Sequence, residues 1–146
     1  EVVCISGDGG AQMNIQEMAT AVVQELPVVF CIFNNGYLGM VRQWQDLFYN
    51  RRFASTCLKY RKSCKGNCTP ENHPCPPYTP DFVKLAESYG AQGIRVTRPE
   101  EIDAAFEKAK EKTDGPTLIE FIIDSEQLVF PMMKTGGSIN EMIMDR

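Results

Sequence analysis

The chain has 146 residues, of which 43% are hydrophobic and 23% are charged, as is usual for one globular domain. Its net charge is −4 with no long run of either sign, which argues against nucleic acid or an anionic membrane as a partner. No apolar stretch reaches the roughly 20 residues that span a bilayer, and the first residues lack a signal-peptide pattern, so we expect a cytoplasmic protein.

The first elements alternate strand, helix, strand. The chain enters almost directly on a strand without an initiating methionine, so we expect residues 1–146 to be a single domain truncated at its start. Residues 2–6 (VVCIS) and 28–33 (VVFCIF) are continuous apolar runs, typical of buried strands in a parallel sheet. Between them, residues 14–26 predict a helix that Pro27 ends. Its apolar side chains recur at helical spacing and predict one buried stripe of Ile15, Met18, Ala19, Val22, Val23 and Leu26.

A loop, a helix and an insertion come next. Residues 34–36 (NNG) predict the loop, and residues 37–50 predict a helix with an aromatic-rich face. Residues 54–80 then contain four cysteines and five prolines with little periodicity, which indicates an inserted loop.

The second half returns to the alternation. Residues 80–90 predict a helix with Pro80 in its first turn and Gly90 as a left-handed cap. Thr97 and Glu100 have the spacing of a capping box before a further helix over 100–113. Strands are predicted at 93–97 and 117–123, and the buried helix stripes are Phe82, Leu85, Ala86 and Tyr89, then Ile102, Ala105, Phe106 and Ala109. The alternation predicts an α/β fold: a three-layer open parallel sheet with helices on both faces.

Open parallel sheets bind ligands at the carboxyl ends of their strands, where two polar motifs fall. Gly7-Asp8-Gly9-Gly10 follows the first strand, and Asn34-Asn35 follows the second. The glycines and the N–H groups of a helix start favour a phosphate, which a bare carboxylate would repel. A Mg²⁺ ion between carboxylate and phosphate removes the conflict, because Mg²⁺ binds hard oxygen ligands and substrate phosphates. Asp8, the Asn35 carboxamide and the Tyr37 carbonyl are the candidate ligands.

Rival readings of these motifs remain open at this point. Gln12 stands where a dinucleotide fingerprint needs its third glycine, and no Gly-Lys-Ser/Thr follows to make a P-loop. Either motif alone is equally consistent with an ordinary turn after a strand.

The two motifs at this spacing resemble the signature of thiamine-diphosphate enzymes, a Gly-Asp-Gly followed some twenty-odd residues later by Asn-Asn. Four stretches extend the resemblance: GDGGAQMNIQEMAT, NNGYLGMVRQWQDLFY, TPDFVKLAESYG and VFPMMKTGGSINEMI. Together they are similar to the carboxyl-terminal, diphosphate-binding domain of the acetolactate synthase (acetohydroxyacid synthase) catalytic subunit, over nearly the whole chain outside the cysteine loop. The tail departs from the family at Lys134-Thr135, where prolines are common.

The resemblance implies the thiamine-diphosphate-binding fold and an enzyme of branched-chain amino-acid biosynthesis. Such an enzyme decarboxylates pyruvate on the cofactor thiazolium and condenses the product with pyruvate or 2-ketobutyrate. The implied Mg²⁺ ligands are Asp8, Asn35 and the backbone oxygen of Tyr37. The implied cofactor contacts are Gly7, Gly9, Gly10, Leu38, Gly39, Met40 and Val41. Met40 and Trp44 are implied to line the pocket for the second 2-ketoacid, although a lone Trp is also consistent with a core aromatic.

Other parts of the implied enzyme lie outside this chain. The resemblance places the glutamate that activates the cofactor in an amino-terminal, pyrimidine-binding domain of a partner subunit, and FAD in a middle domain. This chain therefore holds none of the implied catalytic residues, and we expect it to be inactive alone. A homo-oligomer and a regulatory small subunit are further implied partners.

Two alternatives remain. Glyoxylate carboligase, pyruvate oxidase and decarboxylases share the metal signature, although GMVRQWQ favours the synthase. A non-catalytic module would centre on Cys57, Cys64, Cys68 and Cys75, which are separated by six, three and six residues, unlike common zinc sites. Bound zinc or an iron-sulfur cluster, disulfides and free thiols are all open for these four residues. Cys4 and Cys31 are expected in the core and His73 in a solvent-facing loop.

Overall fold

A computed structural model describes residues 2–59 and 79–145. Four strands form one sheet: β1 (Val2–Gly7), β2 (Val28–Asn34), β3 (Gln92–Val96) and β4 (Thr117–Ile122). Their spatial order is β1-β2-β4-β3, and each neighbouring pair is parallel. The prediction of an open parallel sheet is therefore confirmed.

Five α-helices accompany the sheet within the described ranges: α1 (Asp8–Ala11), α2 (Glu17–Val23), α3 (Gly39–Phe48), α4 (Phe82–Tyr89) and α5 (Ile102–Glu111). Helices α2 and α4 pack on one face, in a cluster that contains Met18, Ile32, Phe82, Ala86 and Leu118. Helix α5 packs on the other face through Ala105 and Ala109, against Val29, Cys31, Val96, Ile119 and Phe121. The three-layer prediction and the stripes of α4 and α5 are confirmed.

Strand β1 is exposed, which corrects the prediction of a buried strand. Val2 and Ile5 are 61% and 71% exposed, and Cys4 is exposed rather than in the core. The reason is position: β1 is the edge of the sheet, and β2 is its only strand neighbour among the described residues. A continuous apolar run indicates a strand but does not tell a central strand from an edge strand.

The predicted helix over 14–26 is also shorter in the structure. Residue Glu25, with φ at 50°, leaves the helical conformation after α2 ends at Val23. Met18 and Ala21 are the buried residues of α2, whereas three residues predicted for the stripe are exposed and do not belong to it: Ala19, Val23 and Leu26.

Two helix starts differ in detail from the predictions. Pro80 precedes α4, and Asp81 caps it by accepting a hydrogen bond from the Lys84 N–H at 3.2 Å. The Gly90 cap is confirmed, with φ at 85°. Before α5, the capping carboxylate is Glu101 and not Glu100, since a 3₁₀ turn over Pro99–Glu101 shifts the register. Hydrogen bonds from the Thr97 N–H and from Arg98 lower the pKa of Glu101 to about 2.

Most of the predicted insertion lies outside the described residues. Residues 60–78, with Cys64, Cys68, Cys75 and His73, belong to that part of the chain. The two described ends of the insertion meet, because the Thr79 hydroxyl donates to the Leu58 carbonyl at 3.0 Å.

Candidate functional site

The two polar motifs meet at one edge of the sheet. Gly7 and Phe33 are register partners at the carboxyl ends of β1 and β2. Asp8 therefore leaves β1 beside the point where Asn35 leaves β2, as the sequence predicts for a parallel pair.

Asp8 is the most unusual group at this edge. It is 2% exposed, and its Oδ2 is a buried oxygen without a hydrogen-bond partner in the described chain. Burial raises the pKa of Asp8, and N–H groups of Asp8, Gly36 and Gly9 with the charge of Lys59 offset part of that rise. A buried carboxylate oxygen of this kind is costly unless a cation or a donor reaches it.

The loop after β2 is tied by its own side chains. The Asn35 Oδ1 accepts a hydrogen bond from the Tyr37 N–H at 2.9 Å, which closes a tight turn. Tyr37 lies opposite Cys57 in an antiparallel bridge. That bridge bonds the Gly36 carbonyl to the Leu58 N–H at 2.8 Å, so residues at the start of the insertion brace the loop.

Gly39 packs directly against Asn35. A Cβ built on Gly39 would lie 2.8 Å from the Asn35 Nδ2, closer than real contacts allow. Gly39 is also the first residue of α3. The sequence needs glycine here because the carboxamide occupies the space that a side chain would fill.

We expect Gly39→Ala to weaken metal-dependent cofactor binding without weakening the fold. Alanine favours a helix by up to about 1 kcal/mol over glycine, but its Cβ displaces Asn35. A displaced metal-site partner typically costs about 10-fold to 100-fold in metal affinity. Calorimetric titration with thiamine diphosphate and Mg²⁺ measures this, with Gly115→Ala as control because its Cβ would meet nothing closer than 3.8 Å. Equal affinities in the two variants would contradict the role of Asn35.

Asp8 and Asn35 open onto a cleft of about 380 Å³. All ten residues that the resemblance implies as Mg²⁺ ligands or cofactor contacts line it: Gly7, Asp8, Gly9, Gly10, Asn35, Tyr37, Leu38, Gly39, Met40 and Val41. Phe33 and Ile123 also line it, and the sequence analysis did not name them. The lining thus combines the polar side chains of Asp8 and Asn35 and four glycines with apolar side chains such as Leu38 and Val41.

Trp44 lies one helical turn beyond Met40 on α3, outside the set of described residues that line the cleft. It is 44% exposed, so within the described chain it is not a core aromatic. Its position continues the exposed side of α3 that begins at Met40. The pocket role of Trp44 remains a prediction.

Two residues of α3 that the sequence analysis did not assign hold the chain after β4. The Arg42 guanidinium donates to the Ser125 carbonyl and to the Glu126 carboxylate, and lies over the ring of Phe53. Gln43 exchanges two hydrogen bonds with the backbone of Val129, at 2.7 and 2.8 Å. Both side chains are buried and fix α3, which carries one wall of the cleft.

The described residues contain no group of three or more His, Cys, Asp or Glu side chains that could hold a metal ion. Cys57 is exposed at the foot of the insertion, whereas its three predicted companions lie outside the described ranges. A bound metal, disulfides and free thiols in that cluster therefore stay three alternative predictions.

The donor set at Asp8 fits a hard divalent cation. The set combines the Asp8 oxygen, which lacks a hydrogen-bond partner in the part of the chain that the structure describes, with the amide oxygen of Asn35 and the backbone carbonyl of Tyr37 on the same cleft, all hard ligands. Two of the glycines beside it are required by close packing, since a Cβ on Gly9 would lie 2.8 Å from Leu38 Cδ2 and one on Gly10 would lie 2.9 Å from the Ser6 hydroxyl oxygen. As for membranes, none of the helices in residues 2–59 and 79–145 has the length and apolar character that a membrane span requires.

Comparisons with known proteins agree with this geometry. Residues 1–121 match the family model for the thiamine pyrophosphate enzyme, C-terminal TPP binding domain. The chain is 40% identical to the acetolactate synthase large subunit of Haemophilus influenzae, over 99% of this chain and 22% of that protein. It is 39% identical to the isozyme 3 large subunit of Escherichia coli, over 99% and 22%. It is 41% identical to acetolactate synthase 1, chloroplastic, of Zea mays, over 99% and 21%.

A solved structure shares the fold. It is the thiamine diphosphate-dependent 4-hydroxybenzoylformate decarboxylase of Rhodococcus jostii, with a TM-score of 0.66 and 30% identity over 85% of this chain and 20% of that one. The chain spans about a fifth of the length of the curated relatives it matches. With a family model that matches most of its residues, the chain belongs to the thiamine pyrophosphate enzymes, as a carboxyl-terminal TPP-binding domain.

Proposed function

We propose that this chain is the cofactor-anchoring domain of an acetolactate synthase, which condenses pyruvate with a second pyruvate or with 2-ketobutyrate. The observation that carries the proposal is the buried Asp8 oxygen, which has no hydrogen-bond partner among residues 2–59 and 79–145, in a cleft lined by every predicted cofactor residue. The acetolactate synthases that match at about 40% identity over nearly the whole chain support this enzyme over a decarboxylase.

In this proposal, a Mg²⁺ ion is held by the Asp8 carboxylate, the Asn35 carboxamide and the Tyr37 carbonyl. The cofactor diphosphate would supply further negative ligands, and Gly7, Gly9 and Gly10, which line the same cleft, would hold it. Burial raises the pKa of Asp8, and a bound cation would favour the charged carboxylate.

Thiamine diphosphate supplies the electron sink for the decarboxylation of the 2-ketoacid. The residues of this chain supply position: Asp8 and Asn35 would hold the metal, and Leu38, Met40 and Val41 form an apolar part of the cleft wall. An apolar wall excludes water and strengthens electrostatic interactions near the reacting atoms. We assign no proton transfer to Asp8, whose role is to hold the cation.

The domain is proposed to span residues 1–146 and to work within a larger assembly. We propose that an amino-terminal, pyrimidine-binding domain of a partner subunit completes the cofactor site, within a homo-oligomer. FAD in a middle domain and a regulatory small subunit belong to the same proposal. The exposed apolar side chains around the cleft, Phe33, Met40, Val41 and Ile123, are consistent with a surface that is covered in the assembly.

The test uses the full-length protein, numbered as here, with pyruvate, thiamine diphosphate and Mg²⁺. We expect acetolactate and CO₂ in a ratio of one to one, and the loss of both when the protein is stripped of metal by chelation and assayed without added Mg²⁺. Release of free acetaldehyde in place of acetolactate would instead assign a decarboxylase. Thiamine diphosphate binding that is equally tight with and without Mg²⁺ would contradict the metal site itself.

A further inference from the structure

A carboxylate lies buried in a central strand of the sheet. Glu120 is 2% exposed and stands in β4, between β2 and β3. Every other residue of the run TLIEFI is apolar or a threonine. Burying a charge in a sheet is costly unless each oxygen is paired, so the partners of Glu120 indicate what it does.

Both oxygens of Glu120 are engaged, and each faces a different strand. Its Oε2 accepts a hydrogen bond from the Arg95 Nε at 2.7 Å, from the register partner on β3. Its Oε1 accepts from the Asn34 Nδ2 at 2.7 Å, at the end of β2. Arg95 also reaches the Asp81 carboxylate at 2.6 Å, at the cap of α4. Glu120 thus links Arg95, which also binds the cap of α4, to Asn34 at the end of β2.

Asn34 passes this restraint to the loop that carries the proposed ligands. Its Oδ1 accepts a hydrogen bond from the Gly36 N–H at 3.1 Å. Gly36 has φ at 72°, a left-handed conformation that turns the chain between Asn35 and Tyr37. The Asn34 carboxamide is hydrogen-bonded through both its Nδ2 and its Oδ1, so it fixes the start of the turn. The turn sets the direction of the Asn35 carboxamide oxygen.

Strand pairing does not require these side chains. The backbones of β2 and β4 remain in register through Asn34 and Ile122, one residue before the loop. The register of the two strands therefore does not depend on the hydrogen bond between Asn34 and Glu120, whereas the pairing of Glu120 Oε1 and the orientation of Asn34 do.

We propose that Glu120 acts through Asn34 as a positioning residue for the metal-binding loop. The chain of contacts Arg95, Glu120, Asn34 and Gly36 sets the direction of the Asn35 carboxamide and of the Tyr37 carbonyl. This inference rests on the proposed metal site and names the residues that shape it.

The test measures Mn²⁺ affinity by electron paramagnetic resonance, on the full-length protein with saturating thiamine diphosphate. Asn34→Ala removes the link and leaves the Glu120 and Arg95 pair intact. We expect Mn²⁺ affinity to fall about 10-fold or more, as for the loss of other outer-shell partners of metal sites. The matched control is Thr117→Val on β4, the strand of Glu120, which removes a 2.9 Å hydrogen bond from the buried Thr117 hydroxyl to Gln92 at the far end of the sheet. It should lower the thermal midpoint and leave Mn²⁺ affinity unchanged.

An exchange of groups separates positioning from mere stability. Asn34→Asp alone places two carboxylates together and should lose Mn²⁺ affinity. Combined with Glu120→Gln, the new amide donates to the new carboxylate, which still accepts from the Gly36 N–H, so affinity should return. Asn34→Ala keeps the test open if a charge-altering variant fails to fold.

Three results would overturn the inference. If the wild type binds Mn²⁺ and Asn34→Ala binds it equally tightly, the inference is wrong and the proposed function stands. A folded double variant without recovered affinity would lead to the same conclusion. A wild-type protein that binds no Mn²⁺ alongside thiamine diphosphate would overturn the proposed function and this inference together.

Discussion

Asp8→Asn is expected to abolish Mg²⁺-dependent binding of thiamine diphosphate and, in metal-free protein, to make the fold more stable. In the proposed site the metal would lose the charged ligand that Asp8 supplies, so affinity should fall by more than about 100-fold, the upper limit for losing an outer-shell partner. The metal-free fold loses a buried charge whose Oδ2 has no hydrogen-bond partner in the described chain, which should add about 1 kcal/mol to the free energy of unfolding.

The stability effect depends on pH. Burial raises the pKa of Asp8 above its ordinary value of 3.8, which the unfolded chain retains. Below 3.8 the group is neutral in both states and costs nothing. As the pH rises from 3.8 through the raised folded value, the unfolded chain ionises more readily, so the wild type loses stability and then levels off. Asp8→Asn lacks this component, and the gap between the two proteins should be largest near neutral pH.

Urea unfolding in chelator, from pH 3.5 to pH 8, measures the stability effect, and calorimetry measures the affinity. Asp103→Asn on the exposed side of α5 is the matched control, because it changes the same charge away from the cleft. Asp103→Asn should bind the cofactor as tightly as the wild type does. An Asp8→Asn protein that is less stable than the wild type near neutral pH, or that binds the cofactor as tightly, would contradict the assignment of Asp8.

Gly93→Ala is expected to cost about 2 kcal/mol of stability, within the range for overpacked positions. Gly93 lies in β3 under α4, and a built Cβ would stand 2.8 Å from the Val83 carbonyl oxygen and 3.0 Å from its Cα. Both are backbone atoms, so the clash is relieved only if the helix moves away from the sheet. The helix carries Phe82 and Ala86 into the core, and its retreat would open that cluster.

The measurement is the free energy of unfolding in urea, with Gly115→Ala again as the control. Gly93→Ala combined with Val83→Ala should remain destabilised, because shortening the side chain leaves the carbonyl and the Cα in place. A change below about 0.5 kcal/mol, the range of ordinary surface substitutions, would show that α4 does not pack as closely as described.

The elements that local sequence decides were predictable. Continuous apolar runs indicated β1 and β2, strands were also predicted at 93–97 and 117–123, and the spacing of Phe82 with Ala86 and of Ala105 with Ala109 indicated the faces of α4 and α5. Strand exposure was not predictable, because the neighbours of β1 depend on the order of strands in space. The end of α2 was missed because the left-handed conformation of Glu25 is not encoded by a glycine.

The candidate site, like the fold, contains residues that the sequence could predict and residues that it could not. Asp8 and Asn35 were predictable because each follows a strand, and parallel topology brings such positions together. The residues that support them were not, since their partners are distant in sequence: Asn34 and Glu120 are 86 positions apart, as are Gln43 and Val129. A usable signal did exist for Glu120, a lone charge within an apolar strand, because such a charge needs a partner.

The most direct test of the metal site is an anomalous difference map from crystals of the full-length protein grown with Mn²⁺ and thiamine diphosphate. We expect one strong peak within about 2.5 Å of the Asp8 carboxylate, the Asn35 amide oxygen, the Tyr37 carbonyl and the diphosphate, the distance range of oxygen ligands. A bound cofactor with no peak among these three residues, or with the peak on other protein groups, would contradict the site.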